Sequence, residues 1–241
     1  MQRALLGILT PSSNTVLEPI TADMLRDITG ASAHFGRFAV TRIALSEGAL
    51  AQFATPEVVK AAELLGHARC RTIGWSGTSS SWLGFESDIR LCKDIESTTG
   101  AKGCTSVLAI NEILQKTGAR KLALVSPYLD NVQEAIIRNY QNAGYDMVAE
   151  RHMGLEDNYS FSEVTSSQLE SMIREVALAK PDAILIMCTN LKGAPLVERL
   201  EKEVGIPIYD SVATVVWKSL QLVGIDTKLV KSWGRLFREV A

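Results

Sequence analysis

Short apolar runs alternate along this chain with longer stretches in which apolar residues recur at helical spacing. The short runs predict strands over residues 4–9, 32–40, 72–76, 121–126, 147–153, 183–188 and 206–209. The periodic stretches predict helices over 15–28, 56–67, 87–97, 107–116, 132–143, 166–179, 194–204 and 213–223. Strands separated by helices argue for parallel sheets, because parallel neighbours need a crossover that a helix usually supplies. The expected fold class is α/β.

The pattern also repeats. Leu5-Leu6-Gly7-Ile8-Leu9-Thr10-Pro11 is echoed by Leu122-Ala123-Leu124-Val125-Ser126-Pro127. The segment ending in Gly77-Thr78-Ser79 is echoed by the one ending in Cys188-Thr189-Asn190, and Thr105-Ser106-Val107 by Asp210-Ser211-Val212. Three landmarks in one order describe a duplicated α/β half, a unit far larger than a solenoid repeat. Two pseudo-symmetric parallel-sheet halves are expected: residues 1–117 with 225–241, and residues 118–224. On this division the tail after Gly224 packs back on the first half. Ligands of open parallel sheets bind beyond the carboxyl ends of the strands. That rule gathers residues 11–14, 77–80, 127–128 and 188–190 around one cleft between the halves.

Composition removes several alternatives. The 241 residues are 46% hydrophobic and 22% charged, the balance of an ordinary globular protein. A net charge of -2 without a basic cluster gives no footprint for nucleic acid. No apolar run approaches the ~20 residues of a membrane span. The first residues enter a strand without signal-peptide architecture, which reads as a cytoplasmic protein. Cys70, Cys92, Cys104 and Cys188 lack paired spacing and fit free thiols in a reducing compartment. His34, His67 and His152 sit in unrelated segments, so a histidine metal cluster is not expected.

Chemistry is carried by the loops at the strand exits. Cys188 stands where a buried strand turns polar, and a thiol there can give or take a proton. At the equivalent place in the first half stands Gly77, so one proton-handling thiol is present where symmetry allows two. Gly77-Thr78-Ser79 is a donor-rich turn suited to an oxyanion. Pro11-Ser12-Ser13-Asn14-Thr15 suits a carboxylate, although Ser, Asn and Thr also serve as plain helix caps. Tyr128 offers a phenol to a carboxylate or enolate oxygen, and Asn158 lies in a loop able to reach over the cleft. Trp75 and Trp82 bracket the Gly77 turn as wall or core residues. Gly74-Trp75-Ser76-Gly77 looks like a hydrolase elbow, but Thr78 stands where that motif needs glycine.

Together these residues resemble the maleate isomerase and arylmalonate decarboxylase branch of the aspartate/glutamate racemase superfamily. The resemblance rests on Pro-Ser-Ser-Asn-Thr at 11–15, Gly-Thr-Ser at 77–79, Ser-Pro-Tyr at 126–128, Asn158, and Cys-Thr at 188–189. It implies two pseudo-symmetric halves, no metal and no cofactor, a small carboxylate substrate and association into homo-oligomers. Racemases and maleate isomerases are similar in having a cysteine on both halves; here the first position is Gly77. A single second-half cysteine with Gly-Thr-Ser instead resembles arylmalonate decarboxylase. On that resemblance Thr78, Ser79 and Tyr128 hold an enediolate after carbon dioxide leaves, and Cys188 protonates it. Pro11, Ser12, Asn14, Gly77, Asn158 and Thr189 are expected to bind substrate. The carboxylate loop at 11–15 is isomerase-like, so the reading retains a cis–trans isomerase or racemase of a small di-acid as its alternative. A hydrolase or a non-catalytic carboxylate-binding protein ranks below both.

Overall fold

The computed structural model describes residues 3–53 and 55–240. Its strands are β1 (Ala4–Pro11), β2 (Ala31–Phe38), β3 (Thr72–Trp75), β4 (Lys102–Thr105), β5 (Lys121–Ser126), β6 (Asp146–His152), β7 (Ala183–Ile186) and β8 (Ile208–Asp210). They form two four-stranded parallel sheets, ordered β2-β1-β3-β4 and β6-β5-β7-β8. The helices are α1 (Leu17–Leu25), α2 (Glu47–Ala51), α3 (Thr55–His67), α4 (Ser80–Leu83), α5 (Glu86–Thr99), α6 (Ser106–Thr117), α7 (Asp130–Asn142), α8 (Ser166–Ala177), α9 (Ala194–Val204), α10 (Ser211–Leu222) and α11 (Arg235–Glu239).

The two sheets agree in register as well as order. Leu9 lies opposite Trp75 and Trp75 opposite Thr105, while Val125 lies opposite Ile186 and Ile186 opposite Asp210. One residue further on, Ser76 N donates to Leu9 O and Met187 N to Val125 O. Gly77 and Cys188 therefore leave their sheets at equivalent points.

One strand is missing from the sequence expectation. Lys102-Gly103-Cys104-Thr105 has no apolar run, and β4 is an edge strand whose outer end is exposed. An edge strand buries too little to write a pattern into the sequence. The short helices α2, α4 and α11 likewise fall below the length at which period is readable.

Helix packing joins the halves. Helices α6 and α10 pack against each other, and α10 also lies against β3 and β4, so the helix following the second sheet docks on the first. Gly74 permits this approach: a Cβ there would stand 2.7 Å from Val215 Cγ2 on α10. The tail after Gly224 touches both halves. Ile225 lies beside Gly30, whereas α11 is tied to α9 through Gly234 N to Glu198 (3.0 Å) and Arg235 N to Glu201 (2.7 Å).

Candidate active site

The exits of β1, β3, β5 and β7 converge on one cavity between the sheets. Pro11, Gly77, Thr78, Ser79, Tyr128, Asn158, Cys188 and Thr189 line it, together with Trp75 and Trp82. Its volume is about 20 Å³, room for about one water molecule. No lining side chain is charged. A carboxylate bound here would meet neutral donors in a dry setting, where each hydrogen bond counts for more than in water.

Cys188 is held by its own loop. Its amide donates to Ser211 Oγ (3.2 Å), which in turn donates to Ile186 O (3.0 Å), so the start of α10 fixes the exit of β7. The thiol is buried, with Asn190 N donating to Sγ at 3.4 Å. Burial pushes its pKa up to about 12, against the opposing pull of the Asn190 amide and the Tyr128 hydroxyl. At neutral pH it is a thiol, a stored proton. Once that proton leaves, the same amide and hydroxyl, with the Leu191 amide, receive the thiolate.

Tyr128 and Thr78 meet across the cleft, Oη to Oγ1 at 2.6 Å. The Tyr128 ring is gripped edge-on by Trp82 (centroids 5.1 Å apart) and Phe161 (5.6 Å), which leaves its hydroxyl little freedom. Burial, then the neighbouring Cys188, raise its pKa well above the phenol range, so it stays a donor. Among the described residues, no acceptor takes the backbone amides of Thr78 and Ser79. Ser79 Oγ accepts from Trp75 Nε1 at 3.4 Å.

The binding loop after β1 divides its roles. Asn14 Oδ1 caps the start of α1 by accepting from Val16 N and Leu17 N, both at 2.9 Å, while its Nδ2 donates to Thr189 Oγ1 (3.2 Å). Asn14 is thus a cap that also positions Thr189, whose hydroxyl donates to Ser76 O (3.1 Å). Ser12 lies outside the lining. Its exposed hydroxyl pairs with the backbone of Val40, accepting from N at 3.1 Å. Ser13 Oγ also donates to Val40 O (2.7 Å) and in addition accepts from Asn158 Nδ2 (2.7 Å).

The roof comes from both halves. Asn158 N donates to Thr41 O (2.9 Å), Ile43 N to Glu156 O (2.9 Å), and Arg42 forms an ion pair with Glu156. Val40, Ile43 and Phe53 close the cavity from this side and are absent from the sequence expectation. Val40 ends the run read as a strand over 32–40, and the stretch beyond it that carries Ile43 and Phe53 has neither strand nor helix period. Asn190 ties the pieces together, accepting from Thr15 N (3.0 Å) and donating to Asn158 O (2.6 Å); its signal was its place in the Cys-Thr-Asn run. Behind the site, Asp210 Oδ1 accepts from Val212 N (2.8 Å) and Ala213 N (3.3 Å), capping α10. Cys70 and Cys104, both buried, and the half-buried Cys92 are free thiols away from the cavity lining. Among the described residues, no cluster of His, Cys, Asp and Glu could hold a metal ion.

Comparison with known proteins agrees with this architecture. Among curated relatives, the maleate isomerase of Geobacillus stearothermophilus is 21% identical over 92% of each chain. The arylmalonate decarboxylase of Bordetella bronchiseptica is 25% identical over 76% of this chain and 77% of its own. Among solved structures, a cysteine-to-serine variant of Nocardia farcinica maleate cis-trans isomerase, with a covalently bound succinylcysteine intermediate, superposes with a TM-score of 0.89. It is 22% identical over 99% of each chain. An arylmalonate decarboxylase structure superposes at 0.79, with 22% identity over 98% of this chain and 99% of its own. A family model described as arylmalonate decarboxylase matches residues 29–237, and with most of the chain covered the protein belongs to the arylmalonate decarboxylase family.

Proposed function

We propose that the protein is a cofactor-independent decarboxylase of a malonate-like acid, using Cys188 as its only proton donor to carbon. The observation that carries this reading is the asymmetry of the strand exits. Cys188 stands at one, and at the equivalent point Gly77 has the Trp75 indole packed where a side chain would project.

The substrate's retained carboxylate sits against Thr78, Ser79 and the Tyr128 hydroxyl, with Asn158 and Thr189 completing the lining. The bond to the departing carboxylate breaks, carbon dioxide leaves, and the electron pair remains as an enediolate on the retained group. Donors already aimed at those oxygens stabilise that charge without reorganising. The Cys188 proton then passes to carbon, and the thiolate left behind regains a proton from solvent. One donor on one face implies one stereochemical outcome.

The test is carbon dioxide release from methylmalonate in deuterated water, with product analysed for deuterium at carbon. Cys188→Ser is expected to lose turnover by ~10²–10⁴-fold while unfolding at an unchanged temperature. Full activity in that variant overturns the proposal. A cis–trans isomerase reading is kept because a maleate isomerase is among the curated relatives, 21% identical over 92% of each chain. Conversion of maleate to fumarate without carbon dioxide release would select it.

A further inference from the structure

The cavity beside Cys188 is not the only space at the Gly77 turn. A second compartment of about 40 Å³ shares Phe53, Trp75 and Ser79 with it and continues between Val58, Leu83 and Leu91. Trp75 and Phe53 are therefore a partition between two rooms. Among the described residues Asp88, in the first turn of α5, is the far room's one charged lining residue.

Asp88 is unusual for its position. It is 2% exposed, and its Oδ2 has no hydrogen-bond partner. Burial raises its pKa to about 6, with the Thr105 and Ser80 hydroxyls pulling the other way. Among the described residues no cation pairs with it. A buried acceptor without a donor is costly, so a ligand bringing one gains more here than in water. The walls on the way are apolar and suit methylene groups. The Trp75 indole is anchored by packing on the Phe38 ring (centroids 5.0 Å apart), and its one polar tie is the long bond to Ser79 Oγ (3.4 Å).

We propose that this compartment is the subsite for the substrate's substituent, and that Asp88 accepts a hydrogen bond from a hydroxyl or ammonium group at its end. The proposal rests on the decarboxylase reading for the orientation of the substrate and adds its side-chain class. Trp75 swings aside to join the rooms, and Asp88 then selects a polar terminus over an apolar one of equal size.

The experiment uses three malonates of matched length: propylmalonate, 2-(2-hydroxyethyl)malonate and 2-(2-aminoethyl)malonate, with methylmalonate as reference. Calorimetric titration of the wild-type protein is expected to show both polar probes binding about tenfold or more tightly than propylmalonate. Asp88→Asn should abolish the preference for the ammonium probe, and Asp88→Leu should invert the order toward propylmalonate. Equal affinity for the three probes in wild type overturns the proposal, whether or not the variants fold. So does an unchanged preference in folded Asp88→Leu, or failure of all three probes to bind while methylmalonate binds. Methylmalonate turnover tests the decarboxylase reading separately. If none of the four compounds binds, both readings fall.

Discussion

The indole of Trp75 occupies the space over Gly77 where a side chain at that position would stand: its Cζ2, Cε2 and Cη2 atoms would all overlap a Cβ. Glycine is required there by the ring, a stronger condition than close approach of a ligand.

Adding a thiol at this place, Gly77→Cys, therefore calls for more than one substitution. The single variant must displace the indole and is expected to lose about 1–3 kcal/mol of stability by overpacking, with no gain of proton exchange from the second face. Trp75→Ala with Gly77→Cys opens the space, and this pair should racemise an optically pure product in deuterated water. Denaturant unfolding and chiral chromatography read the two effects. A stable single variant with full racemising activity would show that Trp75 does not fill the site.

The 2.6 Å contact between Tyr128 Oη and Thr78 Oγ1 sets a second expectation. Tyr128→Phe keeps the aromatic packing on Trp82 and Phe161 but removes the donor. Turnover should fall by ~10²–10³-fold, with about 1 kcal/mol lost from stability. Steady-state kinetics alongside thermal unfolding separates these, and a loss confined to stability would exclude the hydroxyl from charge stabilisation.

A cavity of about 20 Å³ must enlarge to admit any di-acid. The seam most easily parted is the pairing of residues 41–43 with 156–158, backed by the exposed Arg42–Glu156 ion pair. Glu156→Ala should cost little stability, within about 1 kcal/mol, yet speed amide exchange at Ile43 and Asn158. Malonate should slow that exchange in wild type. Hydrogen exchange read by mass spectrometry checks both, and a seam indifferent to ligand would point to another way in.

Stability should fall from about pH 4 to about pH 8. Burial raises Asp88 to about 6 and Asp210 and Glu201 to about 7. Each is raised above its unfolded value, so its contribution is complete below that value and lost as pH climbs through the folded one. His152 acts in the same direction: burial lowers its pKa, but hydrogen bonds with Glu150 and Asp130 outweigh this and raise it. Its contribution is present below 6.5, its ordinary value, and lost above the raised one. Glu198 opposes at low pH, since Lys202 foremost and Arg238 hold it down near 2 despite burial. Its contribution is lost as pH drops toward that value. Melting temperatures should therefore peak at about pH 4, where the gain from Glu198 meets the losses from the raised carboxyls. Asp210→Asn should flatten the descent, and an unchanged slope in a folded variant would refute its share.

The sequence by itself determined the parts that depend on period and repetition. Alternating runs and helical stretches wrote the α/β class, and the echo of residues 5–11 in 122–127 wrote the duplication. From these came the strand exits, and with them Thr78, Ser79, Tyr128, Cys188 and Thr189, which the structure brings together around one cavity. Equivalence of Gly77 and Cys188 was legible because register follows the strand pattern on which it is read.

Only the tertiary structure decided which way each side chain turns and what covers the site. Ser12 and Ser13 are neighbours of one type and both bind the Val40 backbone, yet of the two it is Ser13 that also receives Asn158. Of the roof residues, Val40 ends the strand pattern at 32–40 while Ile43 and Phe53 lie beyond it without period, in a segment held by contacts with a loop more than a hundred residues away. Asp88 reads in sequence as an ordinary acid in a first helical turn; its burial comes with the packing of α5 against α3, α4 and β4. Such relations depend on volumes filled between distant segments, and hydrophobic pattern encodes which face is buried but not what it meets.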